Sequence, residues 1–172
     1  MLILEASVFR FGDNVDTDVI IPGRYLKLSY DEAVLYVMAG IRPGFAEELA
    51  SDGGIIMAGG NFGCGSSREA APAALLRAGV RAIVAPFFAR IFYRNAINIG
   101  LPVIECQACV ESEVAEGERV RVDVTGGSIT RLGTGETWRF SPLPSHLQAI
   151  VDAGGLVPYL KRYSRGVKED KR

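Results

Sequence analysis

Gly54-Ile55-Ile56-Met57-Ala58-Gly59-Gly60-Asn61-Phe62-Gly63-Cys64-Gly65-Ser66-Ser67-Arg68-Glu69 carries the chain from an apolar run into a glycine loop and on to an Ala/Leu/Arg-rich segment. The run Gly54–Ala58, short and bounded by glycines, reads as a buried strand. Arg68–Ala78 reads as a helix, and Ser66 and Glu69 stand at the spacing of a capping box that would open it. Val80–Val84 is the next strand. Pro86–Ile99 follows as a helix carrying Phe87, Phe88, Ile91 and Phe92, and Val103-Ile104 as a further core strand. Strands alternating with helices predict an α/β fold with a partly parallel, helix-covered sheet.

Outward from this centre, Leu2–Phe11 is strand-like and Asp13–Arg24 is a polar loop punctuated by Gly and Pro. Asp31–Gly40 and Arg42–Ser51 read as short helices separated by Pro43. Beyond Glu111 the pattern changes. Arg119–Val124 alternates strictly, as a half-exposed strand does, and Gly126-Gly127 signals a hairpin into Ser128–Leu132. Thr137–Phe140 completes an antiparallel C-terminal meander. Pro144–Ala153 and Leu156–Tyr163 are the closing helices. Residues 1–164 are read as one domain and 165–172 as a charged tail without fixed structure.

The 172 residues are enough for one substantial core. A hydrophobic fraction of 48% and a charged fraction of 23% are those of an ordinary globular protein. Nineteen basic against twenty acidic residues provide no field for nucleic acid or an anionic membrane. No apolar run reaches the length of a membrane span, and the first residues lack the basic start and apolar core of a signal peptide. Three cysteines do not make a disulfide framework, which points to a reducing cytoplasm.

Two polar segments hold the candidate chemistry. In the first, glycines 59, 60, 63 and 65 free the backbone to turn tightly and to approach a ligand. A helix start after them would offer N–H groups to an anion, and Arg68 adds a forked cation that matches a carboxylate. The loop is not a P-loop, since no Lys precedes the serines, and it lacks the dinucleotide fingerprint. Cys64 as a nucleophile would need a His base, and the single His, His146, lies far along the chain. Cys106-x-x-Cys109 with Cys64 suggests an iron–sulfur or zinc site. No fourth Cys exists, however, and 101–106 reads as a buried strand with Cys as a small apolar filler. The second segment, Asp13-Asn14-Val15-Asp16-Thr17-Asp18, lacks the Gly and Glu spacing of a calcium loop and contains good turn formers.

Together the two segments are more specific. Asn14–Leu26 and Asn61–Glu69 closely resemble the small subunit of 3-isopropylmalate dehydratase, the swivelling β/β/α domain of the aconitase superfamily. The resemblance continues through Phe92–Leu101, Ile104-Glu105-Cys106, Pro142-Leu143-Pro144 and Ala153–Val157, nearly the whole chain. It implies an iron–sulfur-dependent hydro-lyase half, active only with a large subunit in a heterodimer or higher heteromer. That subunit would carry a [4Fe–4S] cluster whose open iron binds the substrate hydroxyl and a carboxylate, this chain holding no cofactor or metal itself. By matching position, Ser66 would be the base that removes the proton next to a carboxylate. Ser67 and Arg68 would bind a small 2-hydroxy dicarboxylate, with Asp18, Lys27 and Leu28 completing the substrate contacts. The expected reaction interconverts 2- and 3-isopropylmalate in leucine biosynthesis. Homoaconitase and 2,3-dimethylmalate dehydratase small subunits share both motifs, and a non-catalytic carboxylate-binding module is the alternative of a different class. The chain departs from the family at Ala70, where a His is usual. Lys27-Leu28 also matches neither the apolar isopropylmalate pattern nor the arginine of homoaconitate forms.

Overall fold

The computed structural model describes every residue except Leu26, Ala50, Ser51, Glu113 and 170–172; for Tyr30 and 163–169 it describes the backbone only. Its centre is one seven-stranded mixed sheet in the order β4-β3-β2-β1-β5-β6-β7. β1 (Ile3–Phe11), β2 (Gly54–Ala58), β3 (Val80–Ala85) and β4 (Val103–Glu105) run parallel. The helices α4 (Ala70–Ala78) and α5 (Arg90–Asn98) cross between β2, β3 and β4. β5 (Arg119–Asp123), β6 (Ser128–Arg131) and β7 (Thr137–Arg139) form the expected antiparallel meander. They join the sheet through β1, where Ala6 stands opposite Val120. β1 is therefore the hinge strand, parallel to β2 on one side and antiparallel to β5 on the other.

The alternation of side chains along β2 divides the core. Ile56 and Ala58 point to the helical face, into a cluster with Leu75, Phe92, Ile97 and Leu101. Ile55 and Met57 point to the other face, where Ala6, Val8 and Val84 meet Val120, Val122 and Ile129 of the meander. Strands at the two ends of one sheet share that second cluster, so the sheet curls and its meander, with the short helix at Gln107–Val110, covers the face away from the main helices. β2 is buried along its length, as a central strand covered on both faces must be.

The early helices are shorter than the sequence predicts. α2 spans Tyr30–Val34 and α3 Phe45–Leu49, with turns between them. The residues expected to end the second helix, Ala50 and Ser51, lie outside the described set. The loop 13–24 contains a helical turn, α1 (Thr17–Ile20), and a 3-10 turn at Gly23–Tyr25. Pro86–Ala89 does not start α5. Phe88 instead bridges to Phe62 as an extended residue, and the Ala89 N–H donates to the Phe62 carbonyl at 3.0 Å. The short α6 (Gln107–Val110) has no periodicity to announce it. Arg10 reaches across from β1 and donates to the carbonyls of Val110 and Val114, both at 2.9 Å. α7 spans Ser145–Asp152, and α8, Leu156–Glu169, runs on past Tyr163 into the segment read as a charged tail.

Phe45 opens α3 with no exposed surface and meets Phe9 and Phe11 of β1 edge-on, each with ring centroids 5.3 Å apart. Edge-to-face pairs add to the burial of a large ring. Phe45→Ala is expected to lower the unfolding free energy by about 3–5 kcal/mol, read from the urea midpoint at unchanged slope. A loss below about 1 kcal/mol would mean that α3 does not close this core as described.

Candidate active site at the ends of the parallel strands

β1 and β2 are parallel, so the loops that follow them leave from the same edge of the sheet, where ligands bind in open α/β sheets. These loops are the two polar segments, and they zip together. The Asn14 N–H donates to Gly60 O at 2.9 Å, the Gly63 N–H to Val15 O at 2.8 Å and the Thr17 N–H to Cys64 O at 2.9 Å. Asp16 and Cys64 form a parallel bridge. Side chains reinforce the backbone. Asp13 Oδ1 accepts from the Gly60 N–H at 2.7 Å, and the Asn61 amide donates to Asn14 Oδ1 at 2.9 Å. Both asparagines adopt positive φ, 56° and 60°, a region that Asn tolerates better than most residues.

Asp16 caps α1 by accepting from the Asp18 N–H at 2.7 Å. Thr17, next along, is only 1% exposed, and its hydroxyl donates to the Ser66 carbonyl at 2.9 Å. The same carbonyl accepts from the Arg68 N–H at 2.8 Å. Ser66 is thus pinned by its backbone while its side chain remains exposed. Gly63 and Gly65 permit this path. Their φ values are +78° and +87°, and a Cβ would collide with the Phe92 ring at the first and the Asp16 carboxylate at the second. Both glycines are therefore required by space as well as by conformation.

The expected capping box does not form here. α4 begins at Ala70 with Glu69 as its N-cap, and no side chain caps it. Thr17 and the Arg68 amide hold Ser66 in its place. The same Ser-x-x-Glu pattern is realised elsewhere, where Ser29 and Glu32 cap α2 reciprocally and hydrogen bonding to Ser29 holds the Glu32 carboxyl below its usual range.

Ser66 and Ser67 line a cleft of about 470 Å³ together with Gly65, Arg90, Ile91 and Arg94. A larger cavity, about 720 Å³, lies at the other ends of β2 and β3 beside Gly53 and Gly79, away from these serines. Arg68 borders this region without lining the cleft itself. Its guanidinium pairs with the Asp18 carboxylate and packs beside Gly23. The fold therefore brings Ser66, Ser67, Arg68 and Asp18 together, Asp18 serving the arginine directly. Lys27 and Leu28 are exposed on the turn after Gly23–Tyr25 and do not line the serine cleft. That turn is anchored by Tyr25, which stacks on Tyr36 at 4.1 Å under the Arg24 guanidinium.

The cysteines divide between two places. Cys106 and Cys109 are buried in the cluster beneath the meander. Burial, and Cys106 beside it, push the Cys109 thiol up to about 12. Cys64 sits in the serine loop, its thiol raised by burial and by Asp16. Among the described residues no group of three or more His, Cys, Asp or Glu is placed to hold a metal ion, and no helix is long and apolar enough to cross a membrane. His146 is exposed on α7. Two cleft residues escape a reading of the sequence alone, Arg90 and Arg94. Their four-residue spacing on a helix, beside the apolar Phe88 and Phe92, is the signal that could have found them.

Thr17→Val keeps the shape but removes the donor to the Ser66 carbonyl. We expect a loss of about 1–3 kcal/mol in stability, measured by denaturant titration. Stability within about 0.5 kcal/mol of the parent would show that the Thr17 hydroxyl does not hold the serine loop.

Known proteins with this architecture are close. Residues 47–108 match the aconitase C-terminal domain. The chain is 53% identical over 171 residues to the methanogen homoaconitase small subunit of Methanothermobacter thermautotrophicus, covering 98% of each. It is 47% identical over 164 residues to the 3-isopropylmalate dehydratase small subunit of Sulfurimonas denitrificans, covering 95% of this chain and 96% of that one. A crystal structure of 3-isopropylmalate dehydratase from Methanocaldococcus jannaschii superposes with a TM-score of 0.89 at 39% identity, covering 99% of this chain and all of that one. With this likeness running end to end, the chain belongs to the 3-isopropylmalate dehydratase small-subunit family of the aconitase superfamily.

Proposed function

We propose that this chain is the small subunit of a cytoplasmic hydro-lyase that interconverts 2- and 3-isopropylmalate by dehydration and rehydration, a step of leucine biosynthesis. The observation that carries the reading is Ser66, an exposed hydroxyl at a cleft whose backbone is clamped by Thr17 and the Arg68 amide. Ser66 acts as the base that takes the proton from the carbon next to a substrate carboxylate, Ser67 donates to a carboxylate oxygen, and Arg68 clamps the substrate. A serine works as a base only where fixed donors and cations stabilise its alkoxide. A guanidinium carries five N–H donors in a rigid fork. Asp18 engages one of its nitrogens, leaving donors for a substrate carboxylate.

The cysteines here do not fit an iron–sulfur cluster. Two are buried in the core, one of them with a strongly raised thiol pKa, and the third stands alone in the serine loop. A [4Fe–4S] cluster accordingly belongs to a large subunit, the partner that the small-subunit names of the relatives imply. A homoaconitate-type substrate is the second reading. It is favoured by the 53% identical homoaconitase relative and by the cationic Lys27. Lysine methylenes can also lie along an isopropyl group while the ammonium stays in water.

The test is the complex with its large subunit, assayed on a panel of 2-hydroxy diacids. Isopropylmalate is expected to be the best substrate. Ser66→Ala should abolish turnover with substrate affinity nearly intact, because a base acts in the transition state. Arg68→Lys should weaken binding and slow turnover, an ammonium being unable to give the two-pronged contact. Most of the turnover surviving in Ser66→Ala would overturn the serine-base assignment. A large loss of isopropylmalate turnover in Lys27→Val would move the substrate to the homoaconitate class.

A further inference from the structure

Beside the serine loop the surface has an unusual make-up. Phe87 and Ile91 expose 54% and 53% of their area, though both belong to residue types that normally bury. Arg90 and Arg94 lie between and beyond them, one helical turn apart on α5, and both are exposed. Neither takes part in an ion pair among the described residues. Most other exposed arginines are paired: Arg77 with Asp31, Arg81 and Arg119 with Asp52, Arg121 with Glu5. One acid, Glu105, lines the same face next to Tyr93, and the two guanidiniums outnumber it. Aromatic rings and arginines together are the composition of an interface core, where Lys and Glu are depleted.

The face is held rigidly. The Phe87 ring lies over Gly60, so closely that a Cβ there would strike it. Phe88 bridges to Phe62, and the Ala89 amide bonds to the Phe62 carbonyl. The start of α5 and the serine loop thus form one body, and Ile91, Arg90 and Arg94 border the cleft that Ser66 enters.

We propose that Phe87, Arg90, Ile91 and Arg94 are the small subunit's docking face for the large subunit, against a surface of exposed carboxylates around an apolar centre. The inference rests on the reading of this chain as one half of a dehydratase. A serine that acts on a substrate held by the partner must be carried by a surface that meets the partner at its rim, and this face is continuous with the cleft. Docking buries the apolar pair and pairs the two guanidiniums, and so fixes where Ser66 meets the partner.

The test measures assembly without substrate, by titrating the purified large subunit against this chain and its variants at low and high salt. Phe87→Ser and the double variant Arg90→Glu/Arg94→Glu should each weaken association about tenfold or more. The arginine pair should also flatten the salt dependence, because it supplies the long-range attraction. Arg94→Glu alone, at an exposed position, keeps the test open if Phe87→Ser fails to fold. Leu35→Ser, exposed on a different part of the surface, should leave association unchanged. Assembly at parent affinity in folded arginine variants, with KM raised instead, would overturn the proposal and assign these arginines to substrate. Parent-like assembly dependent on these residues, in a complex that turns over no diacid, would sustain the docking face while the proposed reaction failed.

Discussion

The hydrogen-bonded zip between residues 13–17 and 60–66 is the constraint on which the site depends. β1 and β2 end at Phe11 and Ala58, yet their pairing continues past the sheet as Asn14 to Gly60, Gly63 to Val15 and Thr17 to Cys64. Loops of this length are ordinarily mobile and wet. Here the backbone groups of one loop satisfy those of the other, so the exposed Ser66 hydroxyl is presented on a backbone with few conformations left to lose. The two positive-φ glycines and the two positive-φ asparagines are the steric conditions of that arrangement. The Thr17–Ser66 bond is its innermost link.

Electrostatics follow from the same zip. Each polar residue of the Asp/Asn-rich loop has a local partner. Asp13 holds the Gly60 amide, Asn14 holds Asn61, Asp16 caps α1, and Asp18 pairs with Arg68. A run of acids that could suggest calcium is thereby consumed in positioning the neighbouring loop. Asp18 fixes the orientation of Arg68 while engaging only one of its nitrogens, so part of the guanidinium's donor set stays open. Asp16 also stands beside Cys64 and, after burial, adds to the rise in its thiol pKa.

The parallel half of the sheet and the meander were legible because their signals are local. Gly54–Ala58 is a glycine-bounded apolar run and Arg119–Asp123 alternates strictly, and both are strands. The joining of the two halves through β1 was not legible, since Ile3–Phe11 carries no mark of which neighbour lies on which side. The helix start departs from its sequence signal for a physical reason. Ser66–Glu69 has the capping-box spacing, but the Ser66 carbonyl is held by the Thr17 hydroxyl and the Arg68 amide in a turn that precedes the helix, so α4 starts only at Ala70. The serine loop and its acidic companion were visible as motifs, whereas the four-residue spacing of Arg90 and Arg94 did not say that the Phe88–Phe62 bridge brings the start of α5 against the loop.

Amide hydrogen exchange at Gly63 and Thr17, followed by NMR in the parent and in Asp13→Ala, tests the scaffold account most directly. If the acidic loop holds the serine loop, both amides should be protected to a degree approaching that of Ile56 in β2, and should lose protection together when Asp13 is removed. Exchange at the rate of an open loop in the parent, or no change in Asp13→Ala, would contradict it.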